Sequence, residues 1–120
     1  MKKILLIIDD EEIVYKALSV QFEHHEIEII SVLNGEDGLK AAFQHHPDLI
    51  LLDIVMPKMD GLTMLSKLRE DEWGKHARVI ILSNVSNKKI IKEKVDDYLI
   101  KADWNVTDVA KRVKEMLEIS

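Results

Sequence analysis

The stretch Leu49-Ile50-Leu51-Leu52-Asp53-Ile54-Val55-Met56-Pro57-Lys58-Met59-Asp60-Gly61 decides how the rest of the chain is read. Leu49–Leu52 is an unbroken apolar run of strand length, and it ends on a carboxylate, Asp53. Ile54–Asp60 contains Pro57 and reads as a loop. From Gly61 to Asp71, Leu62, Leu65 and Leu68 fall at helical spacing, so a helix follows the strand.

The same unit recurs on both sides. Upstream, Ile4–Ile8 is a β-branched and leucine run, as expected of a strand buried on both faces, and it too ends on carboxylates, Asp9 and Asp10. Glu12–His24 carries Val14, Ala17, Leu18 and Phe22 at helical spacing. Ile27–Val32 is a second strand whose Glu28 and Ser31 suit a sheet edge. Asn34-Gly35 is a turn, Glu36–His46 a helix expected to bury Leu39, Ala42 and Phe43, and Pro47 stops it. Downstream, Val79–Leu82 is the fourth strand, Asn87–Val95 a short helix and Tyr98–Ile100 a short fifth strand. Asn105–Glu118 is the last helix, with Val106, Val109, Ala110, Val113, Met116 and Leu117 in one apolar stripe.

Strand and helix thus alternate along the chain with no internal repeat, low-complexity segment or linker. Such alternation gives a parallel sheet with helices on both faces, here as a single doubly wound α/β domain over residues 1–120. The first, third and fourth strands are the most apolar, and the second and fifth are shorter or more polar. An order of 2-1-3-4-5 puts the polar strands outside. Ligands in such sheets bind at the carboxyl ends of the strands, where the order reverses, between strands one and three.

That edge collects the chemistry. Asp9 and Asp10 follow strand one, Asp53 strand three, Ser83 strand four and Lys101 strand five. At about 4 Å, like charges repel by about 4 kcal/mol at an effective dielectric of 20, so clustered carboxylates need a proton or a cation among them. An oxygen-only cluster suits Mg²⁺, which completes its shell with waters and phosphate oxygens. Lys101 and Ser83 could hold further phosphoryl oxygens, and an aspartate can itself accept a phosphoryl group. Each residue also has a plainer reading. Asp9 and Asp10 could cap the first helix, Asp53 could be a solvated strand end, Ser83 an ordinary strand-end serine and Lys101 a surface lysine. Their joint placement after four strands read from periodicity favours a site.

Composition agrees. The 22 acidic and 17 basic residues leave a net charge of −5, which argues against direct nucleic-acid binding through neutralised phosphates. The absence of cysteine excludes disulfides, thiolate metal sites and a cysteine nucleophile. Ile4–Ile8 is too short for a signal-peptide core, and no run approaches a membrane span, so no membrane insertion is expected and a cytoplasmic location is.

In these segments the chain resembles the CheY-like receiver domain of two-component response regulators, over essentially its whole length. The resemblance is carried by Ile4–Glu11, by Leu49–Gly61, by Val79–Ser83 and by Asp97–Lys101, the second being the most specific. It implies a flavodoxin-like fold, whose known order is 2-1-3-4-5, so that order is not independent of the resemblance. It implies that Asp53 is the phosphoacceptor, taking its phosphoryl group from a sensor histidine kinase or phosphotransfer protein. Asp9 and Asp10 would hold Mg²⁺ with Asp53 and the backbone carbonyl of Val55, Asp10 the more directly and Asp9 partly through water. Lys101 would pair with Asp53 and then with the phosphoryl oxygens. Ser83 would bond a phosphoryl oxygen, and Tyr98 would be the aromatic switch that turns inward. The fourth helix, fifth strand and last helix would signal to a downstream protein partner, from a monomer or weak homodimer. Self-phosphorylation and slow self-dephosphorylation are the only chemistry implied, so the chain is not expected to be an enzyme.

Departures from the family pattern fall on the switching half. Ser83 replaces the commoner threonine and keeps the hydroxyl. Asn84 stands where a very small residue is usual, and its amide could narrow access or offer a hydrogen bond. Ala102 follows the lysine where a cis proline is usual, and a non-proline cis bond costs about 2.5–4 kcal/mol, so a trans bond with a shifted loop or a strained bond is expected. The segment from Ser83 to Tyr98 is about one helical turn short and lacks a glycine, so the fourth helix should be short or frayed. Val55 and Val85 offer no hydrogen bond to a hydrolytic water, which predicts a slowly hydrolysed phosphoaspartate.

Other signals carry less. His24-His25 and His45-His46 are adjacent pairs that cannot face one metal from a helix. Trp73 and Trp104 are expected to pack. Lys88, Lys89, Lys92 and Lys94 form a basic patch, either solvated or docking an acidic partner. An aspartyl-nucleophile phosphatase would want an acid at position 55, which is Val55. A nucleotide-binding domain would need a glycine-rich loop after strand one, and there is none. A degenerate receiver used for constitutive binding remains the alternative. With 120 residues filled by one receiver, the expected output comes from its own surface.

Overall fold

Residues 2–119 are described by a computed structural model. Leu49–Leu52, all buried, form β3 at the centre of a five-stranded sheet. β3 lies between β1 (Lys3–Ile8) and β4 (Val79–Ser83), with β2 (Ile27–Val32) and β5 (Asp97–Ile100) at the edges. Every pairing is parallel and the order is β2-β1-β3-β4-β5, as the apolarity of the strands predicts. The register sets Ile8 against Leu52 and Ser83 against Ile100, so the carboxyl ends of four strands meet at one edge.

The period-two alternation of strand side chains feeds two cores. Leu6, Ile8, Ile50, Leu52 and Ile81 point to one face, covered by α2 (Gly35–His45) and α3 (Gly61–Arg69). Leu5, Ile7, Leu49, Leu51, Ile80 and Leu82 point to the other, covered by α1 (Glu12–Gln21) and α4 (Val106–Leu117). Side-chain caps start three helices. Asn34 accepts from the Asp37 N–H at 2.8 Å, Asp60 from Thr63 at 2.8 Å and Asn105 from Asp108 at 2.9 Å.

The structure corrects the sequence reading in places. Phe43 is 40% exposed instead of buried, and Ala41 takes its place inside. The cause is close approach: a Cβ on Gly38 would stand 2.6 Å from Ile8, so α2 lies too near β1 to present a large side chain there. α1 stops at Gln21, before His24. Most of the expected helix Asn87–Val95 is not helical and keeps a single 3-10 turn, Lys88–Ile90. Lys88 and Lys92 would repel at i,i+4 spacing, and Ile90, Ile91 and Val95 are β-branched. Past the turn, the Lys94 carbonyl accepts from the Arg69 guanidinium at 2.6 Å and the Asp96 carboxylate from the Val79 N–H at 2.7 Å, which holds the segment against the body of the domain. The 101–102 peptide bond is trans, and Lys101–Asp103 form a further 3-10 turn, so of the two outcomes expected at Ala102 the trans bond is the one present. Trp104 precedes α4 and is partly exposed, while Trp73 stacks on the His46 ring at 4.2 Å between centroids.

Candidate functional site

The carboxyl edge is built by backbone bonds that run between neighbouring strand ends. Asp9 N–H donates to the Val32 carbonyl at 3.1 Å, and Asp53 N–H to the Ile8 carbonyl at 2.9 Å. These bonds carry the ladder one residue past β1 and β3 and bring Asp9 and Asp53 side by side. Both are buried, at 3% and 6% exposure, and Ser83 at the end of β4 is buried at 1%.

The loop after Asp53 is held against two helices. Gly61 N–H donates to the Ile54 carbonyl at 2.7 Å, and a Cβ at Gly61 would lie 2.0 Å from the Asp53 carbonyl oxygen. Glycine is therefore required by close backbone approach directly behind Asp53. Lys58 and Met59 adopt positive φ, and their carbonyls accept the N–H groups of Glu36 and Gly35 at 3.2 and 3.0 Å. Free donors at the start of α2 are thereby satisfied, which offsets the strain of the left-handed residues.

Lys101 closes the cluster from β5. Its Nζ lies 2.8 Å from Asp9 Oδ2, 3.2 Å from Asp53 Oδ2 and 3.3 Å from Glu11 Oε1. The other Asp53 oxygen accepts the Ile54 N–H at 2.8 Å, and the other Asp9 oxygen accepts the Glu11 N–H at 2.9 Å. Burial pushes the Asp9 carboxyl above the usual carboxylate range, with the hydrogen bond from Lys101 opposing it. Burial also acts to lower the Lys101 ammonium, but the hydrogen bond to Asp9 and the charge of Asp53 outweigh it, and the net direction is upward. Lys101 therefore stays charged.

Glu11 is a participant that sequence reasoning missed. It follows the acid pair directly, and that adjacency was the only signal. Asp9, Asp10, Glu11 and Asp53 each offer a carboxylate oxygen within 4.8 Å of the others. The donor set fits a hard divalent cation, since every ligand atom is oxygen and Asp10 and Glu11 are exposed to receive it. Asp10, Glu11, Asp53, Val55, Ser83, Asn84, Val85 and Lys101 surround an open cleft of about 390 Å³.

Ser83 and Tyr98 meet at Val85. The Ser83 hydroxyl accepts the Val85 N–H at 3.3 Å, and the Tyr98 hydroxyl donates to the Val85 carbonyl at 2.5 Å. Tyr98 is already turned inward at 9% exposure, where the sequence reading expected inward rotation to follow phosphorylation. Burial, then the Asp53 charge, raises its phenol above the ordinary value.

A doubly wound sheet with a lysine-bridged acidic cluster at its switch point defines a class, and comparison with known proteins gives the family. The response regulator receiver domain matches residues 5–114, and the chain belongs to that family. It is 31% identical over 122 residues to the alkaline phosphatase synthesis transcriptional regulatory protein PhoP of Bacillus subtilis, covering 100% of this chain and 50% of PhoP. It is 32% identical over 120 residues to the DNA-binding dual master transcriptional regulator RpaA of Synechocystis, covering 94% of this chain and 48% of RpaA. The chain thus spans about half the length of these curated relatives. Among solved structures, a chain of the CheX–CheY–BeF3–Mg²⁺ complex from Borrelia burgdorferi is 30% identical with a TM-score of 0.81, covering 96% of this chain and 89% of that one. The Francisella response regulator 1452 receiver domain is 26% identical with a TM-score of 0.83, covering 98% of each. Receivers are signalling modules and not enzymes in the ordinary sense. No helix among the described residues is long and apolar enough to cross a membrane.

Proposed function

We propose that this chain is a phosphoryl-accepting receiver, with Asp53 as acceptor. A carboxylate oxygen of Asp53 attacks the phosphorus of a phosphohistidine on a sensor kinase or phosphotransfer protein. The phosphorus–nitrogen bond breaks, and the histidine nitrogen leaves with the electron pair. The observation that carries this reading is the half-buried Lys101 ammonium spanning the buried Asp9 and Asp53, beside two further acids on the open side. Asp9, Asp10 and Asp53, with the Val55 carbonyl, would hold Mg²⁺, which supplies charge neutralisation for the incoming phosphoryl group. Lys101 orients Asp53 and then pairs with the new phosphoryl oxygens.

Signalling is a population shift. A phosphoryl group adds about −1.5 to −2 charge and strong acceptor oxygens. Drawing the Ser83 hydroxyl towards them takes it from the Val85 N–H, and the Val85 carbonyl is the group that holds Tyr98. The 3-10 turn after β4, β5 and α4 then form the surface that a downstream protein reads. We place the module in the cytoplasm, as a single receiver unit. The inward Tyr98 favours a second reading, a constitutive binding module whose surface needs no phosphoryl group.

Intact-mass measurement after acetyl phosphate and Mg²⁺ tests the first reading. One phosphoryl adduct is expected, absent from Asp53→Asn. No adduct, or one that survives the substitution, refutes it. Amide NMR shifts along β5 and α4 on adding beryllofluoride separate the two readings, since the constitutive module predicts none.

A further inference from the structure

Asn84 stands on the cleft wall beside Ser83, and its side-chain oxygen accepts the Ala102 N–H at 3.1 Å. This bond ties the loop after β4 to the turn after β5. It also orients the amide, because a backbone N–H can be met only by the Oδ1 edge. Ala102 is not part of the cleft lining. With the oxygen committed to Ala102, the polar edge that Asn84 has left for the cleft is its NH₂ group. The cleft is lined by the carboxylates of Asp10, Glu11 and Asp53, with Lys101 as its cation. An amide oxygen turned inwards would repel a phosphoryl group, whereas an amide N–H donates to one.

We propose that Asn84 and Ala102 act as a pair, the Ala102 N–H holding Asn84 so that its Nδ2 donates a hydrogen bond to the phosphoryl group on Asp53. Asn84 is the binding residue and Ala102 the positioning residue. This rests on Asp53 being the acceptor. A proline at 102 has no N–H to give, so the pair exists only with a non-proline residue there.

The test titrates beryllofluoride with Mg²⁺ into the whole chain by fluorine NMR, with urea melts as the folding control. Asn84→Ala is expected to weaken binding roughly tenfold, the usual worth of a hydrogen bond to a charged group. Ala102→Pro is expected to weaken binding in the wild-type background and to add less than about twofold to Asn84→Ala, since the bond it removes is already gone. Asn84→Asp keeps an acceptor for the Ala102 N–H but has no donor. It is expected to fold, with some loss of stability from its charge beside Asp10, Glu11 and Asp53. It is expected to bind at least about tenfold more weakly through the lost donor and the added charge together, so Asn84→Ala isolates the donor. Binding of Asn84→Ala or Asn84→Asp within about twofold of wild type would overturn the proposal. An equal penalty from Ala102→Pro in both backgrounds would overturn the pairing. If Ala102→Pro does not fold, the two Asn84 variants decide the matter. A wild-type chain that binds no beryllofluoride refutes the acceptor reading and this inference together, whereas binding lost only in Asp53→Asn leaves the acceptor reading standing whatever Asn84 does.

Discussion

Replacing Lys101 with methionine isolates the interaction on which the acidic edge depends. The side chain keeps its length and loses its charge. Asp9 and Asp53 are then left as neighbours with side-chain exposures of 3% and 8%. At an effective dielectric of 20, contacts of 2.8 and 3.2 Å correspond to a gross attraction of about 5–6 kcal/mol each. Most of that is cancelled by the desolvation of the ions, several kcal/mol apiece. The contact to Glu11, whose side chain is 64% exposed, adds at most about 1 kcal/mol. Removing one partner of a buried pair costs about 3–5 kcal/mol, and the open cleft lets water reach the carboxylates, so about 3 kcal/mol is expected at pH 7 without Mg²⁺.

The pH dependence has a definite sign. Burial already raises the Asp9 carboxyl, and without the opposing hydrogen bond from Lys101 it rises further. A carboxyl raised in the folded state binds more protons there than in the unfolded chain, so its contribution to stability falls as pH rises and returns on acidification. The deficit of Lys101→Met therefore shrinks between neutral pH and pH 4–5, and Mg²⁺ stabilises the variant more than the wild type. Urea melts at pH 7 and pH 5, each with EDTA or Mg²⁺, measure both effects. A cost below about 1 kcal/mol at pH 7 in EDTA, or one independent of pH, would refute the reasoning. In the wild type the raised Lys101 ammonium contributes stability that is full below its unfolded pKa and is lost only as alkaline pH passes its higher folded value.

Further outcomes follow from the same geometry. Gly61→Ala places a Cβ 2.0 Å from the Asp53 carbonyl oxygen; a loss of about 1–3 kcal/mol in urea melts is expected, with slower phosphoryl uptake, and wild-type behaviour would contradict the close approach. Tyr98→Phe removes the bond to the Val85 carbonyl and keeps the ring packing; a cost of about 0.5–1.5 kcal/mol is expected, and no change in melting would show that the bond adds nothing. Arg112→Ala breaks the pair with Asp97 at 2.7 Å, but both side chains are about a third exposed; the expected cost is under about 1 kcal/mol in the same melts. Val55 is 66% exposed and Val85 lines the same cleft, and neither offers a hydrogen bond to an attacking water. The phosphoaspartate is expected to persist in Mg²⁺, and decay within seconds in the purified protein would contradict this.

Much of this was legible from periodicity. Leu49–Leu52 and Ile4–Ile8 read as buried strands because their apolar runs have strand length and no polar interruption, and the strand order drew both on which strands could tolerate an edge and on the family resemblance. Asp9, Asp53, Ser83 and Lys101 were found because each directly follows a strand, so their proximity required only the topology. Phe43 was misread because helical spacing gives a face without its distance from the sheet, and Gly38 against Ile8 sets that distance. The segment Asn87–Val95, expected as a short or frayed helix, keeps only the 3-10 turn Lys88–Ile90, and local apolar spacing could not show how little of it winds or that its far end is held to Arg69.

The amino-acid sequence by itself determined the α/β class, the parallel sheet and the residues that gather at its carboxyl edge, because these depend on local periodicity and chain order. Only the tertiary structure decided that Lys101 bonds Asp9 more closely than Asp53, that Glu11 joins them and that Tyr98 lies inward on Val85. It alone paired Asn84 with Ala102. Each of these is set by how groups on different strand ends and loops come within about 3 Å of one another once the sheet is assembled, and no linear pattern encodes such distances.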